Sequence, residues 1–222
     1  LDKVMSGVSD MVLARNELSR RLREGAVEPQ VHEPFERLSA IIADVRDAMT
    51  RTRMQRIESL FSGLPRMVRD LAGELGKLAH VDIAGHDVEI DREMVEIIRD
   101  PLTHIVRNAI DHGLESAAAR RALGKPEVGR LSVSARQTGN KILIDVIDDG
   151  RGIDEARLVE KAVAAGLFGP AEAAHLSRAE AFELMFKAGL STAETVTAIS
   201  GRGVGMDVVR ANIERIGGSI EI

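Results

Sequence analysis

Three polar side chains at spacings of four within residues 100–113 are of the types that bind phosphate groups and divalent cations. His104, Asn108 and His112 would share one face of a helix over this segment. The amide oxygen of Asn108 is a neutral hard ligand suited to Mg²⁺, and the imidazole of His104 titrates near neutral pH. A purely structural helix does not need this row, so the pattern favours a site for a phosphate chain and a metal ion.

The neighbouring residues predict the helix that would position these side chains. Asp100 suits the N-cap, Pro101 the first helical position and Gly113 the C-terminal stop. Its apolar stripe, which would pack on a sheet, consists of Leu102, Ile105, Val106, Ala109 and Ile110. We therefore expect one helix that begins after Asp100 and ends at Gly113.

An acidic turn at residues 148–152 is the second candidate for chemistry. It directly follows a predicted strand. The carboxylate of Asp148 could accept a hydrogen bond from an exocyclic amine, such as that of adenine, while Gly150 and Gly152 let the backbone approach closely. Aspartate and glycine are also common in ordinary turns, so the motif alone leaves a structural role open.

A glycine run is the third candidate. Gly201, Gly203 and Gly205 lie at the start of a helix predicted at residues 204–216, where backbone N–H groups and the helix dipole could bind an anion. The run lacks the Gly-Lys-Ser/Thr of a P-loop and the preceding strand of a Rossmann fingerprint. A flexible linker is the alternative interpretation.

Residues 1–56 predict a helical hairpin. Apolar residues recur at nearly heptad spacing up to residue 22, residues 25–34 form the expected turn, and a second amphipathic helix follows. Such a pair leaves apolar surface exposed, so we expect it to join a second copy in a four-helix bundle. A hairpin that lies on its own domain is the alternative.

Residues 57–222 alternate between helical and strand patterns. The expected helices span 64–78, 91–99, 155–165 and 178–188. The expected strands span 80–83, 87–90, 131–136, 141–147 and 219–222, with a hairpin turn at 138–140.

Composition is that of an ordinary soluble protein, with 44% apolar and 29% charged residues among 222. The net charge of −5 argues against general nucleic-acid binding. The chain has no cysteine, and neither a secretory signal nor a run of transmembrane length is visible, so we expect a cytoplasmic protein without membrane insertion. Leu1 is not an initiator and the chain stops within a predicted strand, so we also expect a fragment.

The three motifs, in this order and spacing, resemble the N box and the two glycine boxes of the ATP-binding superfamily of gyrase, Hsp90, histidine kinases and MutL. The segments HIVRNAIDHG, DDGRGID, GLSTAETV and SGRGVGMDVVR are similar to the kinase core of the chemotaxis histidine kinases of the CheA family. The segment LPRMVRDLAGELGK resembles the part of that family between its dimerisation and catalytic domains. The resemblance implies an α+β chain with a dimerisation hairpin at 1–56. A two-layer α/β sandwich that binds ATP would follow at 57–222, without its last strands.

The resemblance also implies roles for single residues. Asn108 would bind Mg²⁺ and, through it, the phosphates of ATP. His104 would act near the γ-phosphate as a base or orienting group, and Arg107 and His112 would line the phosphate and ribose side. Asp148 would accept from the adenine amine. The remaining nucleotide-site residues would be Gly150, Gly152, Arg157, Lys161, Met185, Ser191, Thr192, Gly201, Gly203, Gly205 and Met206. Some family members have a lysine where this chain has Ala193, so a cation of the loop over the phosphates would be missing.

The resemblance places the phosphate-accepting histidine on a separate domain, in the same chain or on another protein, and receptor-coupling proteins on a C-terminal domain beyond this chain. His32 falls in the expected inter-helix turn and is not the expected acceptor. Two other functions remain open. One is a non-catalytic scaffold in a receptor array, and the other is a gyrase- or Hsp90-like ATPase, which would carry a glutamate base where His104 stands.

Overall fold

The chain folds into two compact units, Leu1–Gln55 and Arg56–Ile222. The computed structural model describes residues 2–24, 29–173, 175–187 and 205–222. In that part of the chain, no helix is both long and apolar enough to cross a membrane.

The first unit is a pair of long helices, α1 (Asp2–Glu24) and α2 (Pro29–Arg53), which pack together around Val8, Phe35 and Ile42. The predicted turn at 25–34 is too long, because α2 already begins at Pro29. Proline suits the first helical position, and Pro34 inside the helix removes a single backbone donor. His32 is therefore an exposed helical residue and not a turn residue.

Many large apolar side chains of this hairpin are exposed. They are Val4, Met11, Leu13, Leu18, Val31, Leu38, Ile41 and Val45, each with at least 39% of its surface accessible. An apolar face of this extent is typical of a helix that packs against another element.

The second unit contains a sheet of β2 (Ala79–Ala84), β4 (Gly129–Thr138) and β5 (Lys141–Asp148), in the order β2-β4-β5. β2 runs parallel to β4, and β5 runs antiparallel to it. The predicted hairpin is confirmed, and its turn contains Gly139 in the left-handed region at φ 61°. Parallel pairing requires a crossover between β2 and β4, and this crossover contains the helix with His104 and Asn108.

The helices cover one face of this sheet. Leu131, Val133 and Ala135 of β4 are buried on that face, while the residues between them are more accessible.

The other elements are β1 (Met54–Arg56), α3 (Glu58–Phe61), α4 (Leu64–Glu74), β3 (Glu89–Asp91), α5 (Arg92–Asn108), a π-helical turn (Ala109–Gly113), α6 (Ala117–Ala122), α7 (Glu155–Ala164), α8 (Pro170–Ala173), α9 (Arg178–Glu183), a 3₁₀ turn (Leu184–Phe186) and α10 (Met206–Arg215). The α+β class and the two-layer arrangement are as expected.

The predicted start of the central helix at Asp100 is wrong. α5 begins at Arg92, and its N-cap is Asp91, whose side chain accepts from the Glu93 N–H at 2.8 Å. Pro101 lies inside the helix and removes one donor. Burial of Val95 in the core favours a continuous helix despite this loss.

Several other predicted boundaries also differ. α4 ends at Glu74, four residues before the predicted end, because Gly76 adopts a left-handed conformation at φ 62°. α9 ends at Glu183 and tightens into the 3₁₀ turn. Residues 219–222, predicted as a strand, pair with no strand among the described residues.

Candidate functional site

The side-chain amide of Asn108 contacts the start of α10. Its Nδ2 donates to the sulfur of Met206 at 3.4 Å, which joins residues 98 positions apart. Gly205, the N-cap of α10, has no side chain that could bind the Asn108 amide in place of Met206. Because the amide nitrogen faces the sulfur, Oδ1 points away from Met206 and is the atom that could bind a hard cation.

After Asn108 the helix widens into the π-helical turn Ala109–Gly113, in which the Leu114 N–H donates to the Ala109 carbonyl at 2.8 Å. His112 lies in this wider turn and not in the α-helical row predicted with His104 and Asn108. Single π turns within helices are frequent at functional sites.

The Lys77 side chain binds backbone carbonyl groups of the π turn and of the residue that follows it. Its ammonium group donates to three backbone oxygens at 2.6–2.9 Å. These oxygens belong to Ile110, Asp111 and Leu114. Partial burial lowers the pKa of Lys77. All three donors of the ammonium group are used on this one turn.

The C-terminal residue of the π turn, Gly113, lies against the acidic turn. A β-carbon built on Gly113 would lie 3.1 Å from Oδ1 of Asp148, and one built on Gly150 would lie 2.2 Å from the Gly113 carbonyl oxygen. The Arg151 N–H donates to that carbonyl at 3.0 Å, and the Gly150 N–H donates to Asp148 Oδ1 at 2.9 Å. The structure therefore brings Gly113 and Asp148 together, with Asn108 at the opposite end of the same π turn.

His104 is half-buried on α5, one turn before Asn108. Burial lowers its pKa, and the nearby charges of Arg107 and His112 lower it further. His104 is therefore mostly neutral at pH 7, with one ring nitrogen able to accept a proton or a hydrogen bond.

Three further predicted residues lie on elements that pack together. Arg157 is exposed and Lys161 half-buried on α7, whose N-cap is Asp154. Met185 is half-buried in the 3₁₀ turn, which packs against α7. Gly152 has φ 72°, in the left-handed region that favours glycine.

An ion pair joins α9 to α10. Arg210 donates to both carboxylate oxygens of Glu183, at 2.7 and 3.0 Å, and its guanidinium lies 3.8 Å from the centre of the Phe186 ring. This pair links α9 to the helix whose first residue contacts Asn108. Among the predicted site residues, Ser191, Thr192, Gly201 and Gly203 lie outside the described residues.

Comparison with protein families identifies the family of this chain. Residues 97–222, more than half of the chain, match the model of the family described as histidine kinase-, DNA gyrase B-, and HSP90-like ATPases. The chain belongs to this family.

Within the ATPase family, the curated relatives are of the CheA type. The chain is 44% identical to the sensor histidine kinase CheAY of Helicobacter pylori over 229 residues and 42% identical to the chemotaxis protein CheA of Klebsiella aerogenes over 226 residues. It is 38% identical to the chemotaxis protein CheA of Bacillus subtilis over 222 residues. Each match covers 100% of this chain but only 28%, 34% and 33% of the respective relative. The chain is thus a CheA-like ATPase core that spans about a third of these relatives.

Sequence reasoning missed a charged network behind the acidic turn of this ATPase core. Arg120 is fully buried, and Glu115 is 6% exposed. The Arg120 side chain donates to the carboxylates of Glu115 and Asp149, and the Lys125 ammonium donates to Glu115. The hydrogen bond from Lys125 lowers the pKa of Glu115. Burial alone would raise the pKa of Asp149, but hydrogen bonds from Arg120 and the Arg130 N–H lower it overall.

The sequence indicates the helix that carries Arg120 but not the network itself. Ser116 followed by three alanines and two arginines is a short helix with an N-cap, and the Ser116 side chain accepts from the Ala119 N–H. The spacing of five between Glu115, Arg120 and Lys125 has no helical or strand period, so pattern analysis passes over it.

Proposed function

We propose that this chain is the catalytic core of a protein-histidine kinase, which transfers the γ-phosphate of ATP to a histidine on a separate domain or protein in chemotaxis-like signalling. The observation that supports it most is the contact between Gly113 and the Asp148 turn. In this arrangement the Asp148 carboxylate, which would bind the base, lies at one end of the π turn, and Asn108, which would bind the metal ion, lies at the other.

The residues fit a magnesium nucleotide. Mg²⁺ in nucleotide sites takes most of its ligands from phosphate oxygens and water, so one amide oxygen from the protein suffices. Asn108 would supply that oxygen, because its Nδ2 is engaged by Met206. The bound cation would neutralise charge on the phosphates.

The proposed phosphoryl transfer needs alignment more than covalent chemistry from the protein. The bond between the γ-phosphorus and the β,γ-bridging oxygen breaks, ADP leaves, and a P–N bond forms to the acceptor imidazole. Neutral His104 would orient that imidazole or take its N–H proton. Arg107 and His112 would face the phosphates and ribose.

The adenine side would be formed by the acidic turn. Asp148 is exposed, and its carboxylate, with about four acceptor sites, already holds the Gly150 N–H and has capacity for an exocyclic amine. Gly150 and Gly152 would let the backbone approach the base. Arg157, Lys161, Met185 and Met206 would border the pocket, and Gly205 would present backbone N–H groups at the start of α10.

We propose that residues 1–56 form a homodimer and that the acceptor histidine and receptor-coupling partners lie outside this chain. The exposed apolar side chains of α1 and α2 support the first part, because a second hairpin would bury them. The relatives are chemotaxis proteins, which supports a histidine-containing acceptor and a cytoplasmic location.

Phosphotransfer to an added histidine-containing helical domain tests this function. We expect the unchanged chain with labelled MgATP to phosphorylate that domain, and Asn108→Ala to abolish transfer by removing the metal ligand. Asn140→Ala, an amide in the exposed turn of the β4–β5 hairpin, is the matched control and should retain full transfer. ATP hydrolysis without an acceptor domain would instead favour a gyrase-like ATPase.

A further inference from the structure

Behind the acidic turn lies a set of four charged side chains that are committed to one another and to backbone carbonyls. Glu115 accepts from Lys125 at 2.9 Å through Oε1 and from Arg120 at 3.1 Å through Oε2. Arg120 also donates to Asp149 Oδ2 at 2.7 Å. The set contains two cations and two anions, so its charges balance. We name these four residues the turn network.

The turn network holds the backbone of the acidic turn directly. Lys125 donates to the carbonyl of Asp149 at 3.0 Å and to that of Gly150 at 2.8 Å. Arg120 donates to the same Asp149 carbonyl at 3.2 Å and, through Nε, to the Pro126 carbonyl at 2.7 Å. Three bonds from two cations thus fix the two residues that follow Asp148.

The network leaves neither cation able to contact a ligand. The Lys125 ammonium has three N–H donors, and its three acceptors are all protein oxygens. The Arg120 side chain has no accessible surface. Asp149 uses both carboxylate oxygens, since Oδ1 accepts from the Arg130 N–H at 2.8 Å. Asp148, at the front of the turn, is exposed, and its second carboxylate oxygen accepts no hydrogen bond from the network.

We propose that Lys125 and Arg120 are positioning residues for adenine recognition, which hold the turn so that the Asp148 carboxylate faces the base while they do not touch the nucleotide. The inference rests on the proposed function, because it takes Asp148 as the acceptor of the adenine amine. A buried ion network adds little net stability over apolar packing, so the property that it contributes here is a fixed geometry.

The consequence is specificity for the base. Inosine triphosphate has a carbonyl oxygen in place of the exocyclic amine, and a fixed carboxylate would repel it. If the acidic turn is free to move, the Asp148 carboxylate can rotate away from the carbonyl oxygen of inosine. The preference for ATP over inosine triphosphate then falls. A role limited to stability would lower the affinity for both nucleotides alike.

Lys125→Met tests this inference, because Lys125 is part-exposed and the Glu115–Arg120 pair remains after the change. Calorimetry with ATP and inosine triphosphate gives the ratio of the two Kd values. We expect the unchanged chain to favour ATP by about tenfold or more, and Lys125→Met to reduce that ratio about three- to tenfold, the factor of one hydrogen bond. Lys125→Arg should recover part of the discrimination. Arg121→Met, which removes an exposed cation beside the network, is the control and should leave the ratio unchanged.

Amide exchange provides a readout that does not depend on nucleotide. We expect faster exchange of the Arg151 N–H, which bonds to Gly113, in both Lys125→Met and Glu115→Gln, and no change in Arg121→Met. Unchanged exchange at Arg151 in both network variants, or an unchanged Kd ratio in Lys125→Met, would overturn the inference. Equal binding of both nucleotides by the unchanged chain would instead contradict the proposed role of Asp148.

Discussion

Gly150 packs so closely on Gly113 that a β-carbon at Gly150 would lie 2.2 Å from the Gly113 carbonyl oxygen. This contact joins the π turn after Asn108 to the acidic turn that contains Asp148. The Arg151 N–H, which donates to the same carbonyl, completes the junction. The residues proposed to bind the metal ion and adenine, Asn108 and Asp148, are therefore positioned relative to each other by a backbone contact. This contact leaves no room for a side chain at Gly150.

The first prediction concerns this junction. Gly150→Ala should lower the free energy of unfolding by about 1–3 kcal/mol, because the methyl group forces the two turns apart. It should also weaken ATP binding. Gly73→Ala is the control, since nothing lies within 4 Å of a β-carbon there, and it should stabilise helix α4 by about 0.5–1 kcal/mol. Denaturant unfolding of both variants is the measurement, and wild-type stability of Gly150→Ala would contradict the contact.

The second prediction concerns the orientation of the Asn108 amide. Met206→Leu retains apolar volume but removes the sulfur acceptor, so the amide is free to rotate away from the metal. We expect the Kd for MgATP to rise about two- to tenfold, the range of one hydrogen bond, and the Kd for ATP in a chelator to change little. Met94→Leu, at an exposed methionine on α5, should change neither value. Equal losses with and without Mg²⁺ would show that the methionine serves only packing.

The third prediction concerns the titration of His104. Burial and the charges of Arg107 and His112 lower its pKa, so an NMR titration should place its midpoint below the ordinary value of about 6.5. Arg107→Gln removes one positive charge and should move the midpoint upward. Arg99→Gln, elsewhere on the same helix, should not. An unchanged midpoint in Arg107→Gln would remove Arg107 as a cause.

The fourth prediction concerns acid stability. Glu115 and Asp149 both have a lowered pKa in the folded chain. Their contribution to stability is present above their ordinary values and is lost as the pH falls through the lowered ones, that is, below about pH 4.5. Tm should therefore fall steeply in this range, and less steeply for Glu115→Gln, which cannot be protonated. Parallel slopes for the two proteins would show that Glu115 does not contribute.

Local patterns predicted much of the second unit, while long-range contacts decided the rest. The alternation at residues 131–147 was sufficient for the β4–β5 hairpin, because β4 buries one face and Ile142, Ile144 and Val146 of β5 pack, partly buried, against the same core. Asp100 and Pro101 form a strong local start signal, but packing of Val95 extends α5 to Arg92. Such tertiary effects commonly override local preference.

The sequence indicated the groups of the candidate site but not their arrangement. The motifs at Asn108 and Asp148 were visible as residue types, whereas their approach depends on the crossover from β2 to β4, which no local pattern encodes. The bond from Arg120 to Asp149 joins residues 29 positions apart without any periodicity. The loop glycines at 201 and 203 lie outside the described residues, so their role stays a prediction.

The last prediction concerns the hairpin of residues 1–56 as a dimerisation element. Ile41 of α2 is 50% exposed on an apolar face that a second copy would bury. Ile41→Asp would place a charge in that interface, which is costly without a partner, so we expect the dimer to dissociate at concentrations where the unchanged chain is dimeric. Glu36→Lys, at an exposed charged position on the opposite side of the same helix, should leave the dimer intact. Sedimentation equilibrium distinguishes the two states, and a monomeric unchanged chain would contradict this role of the hairpin.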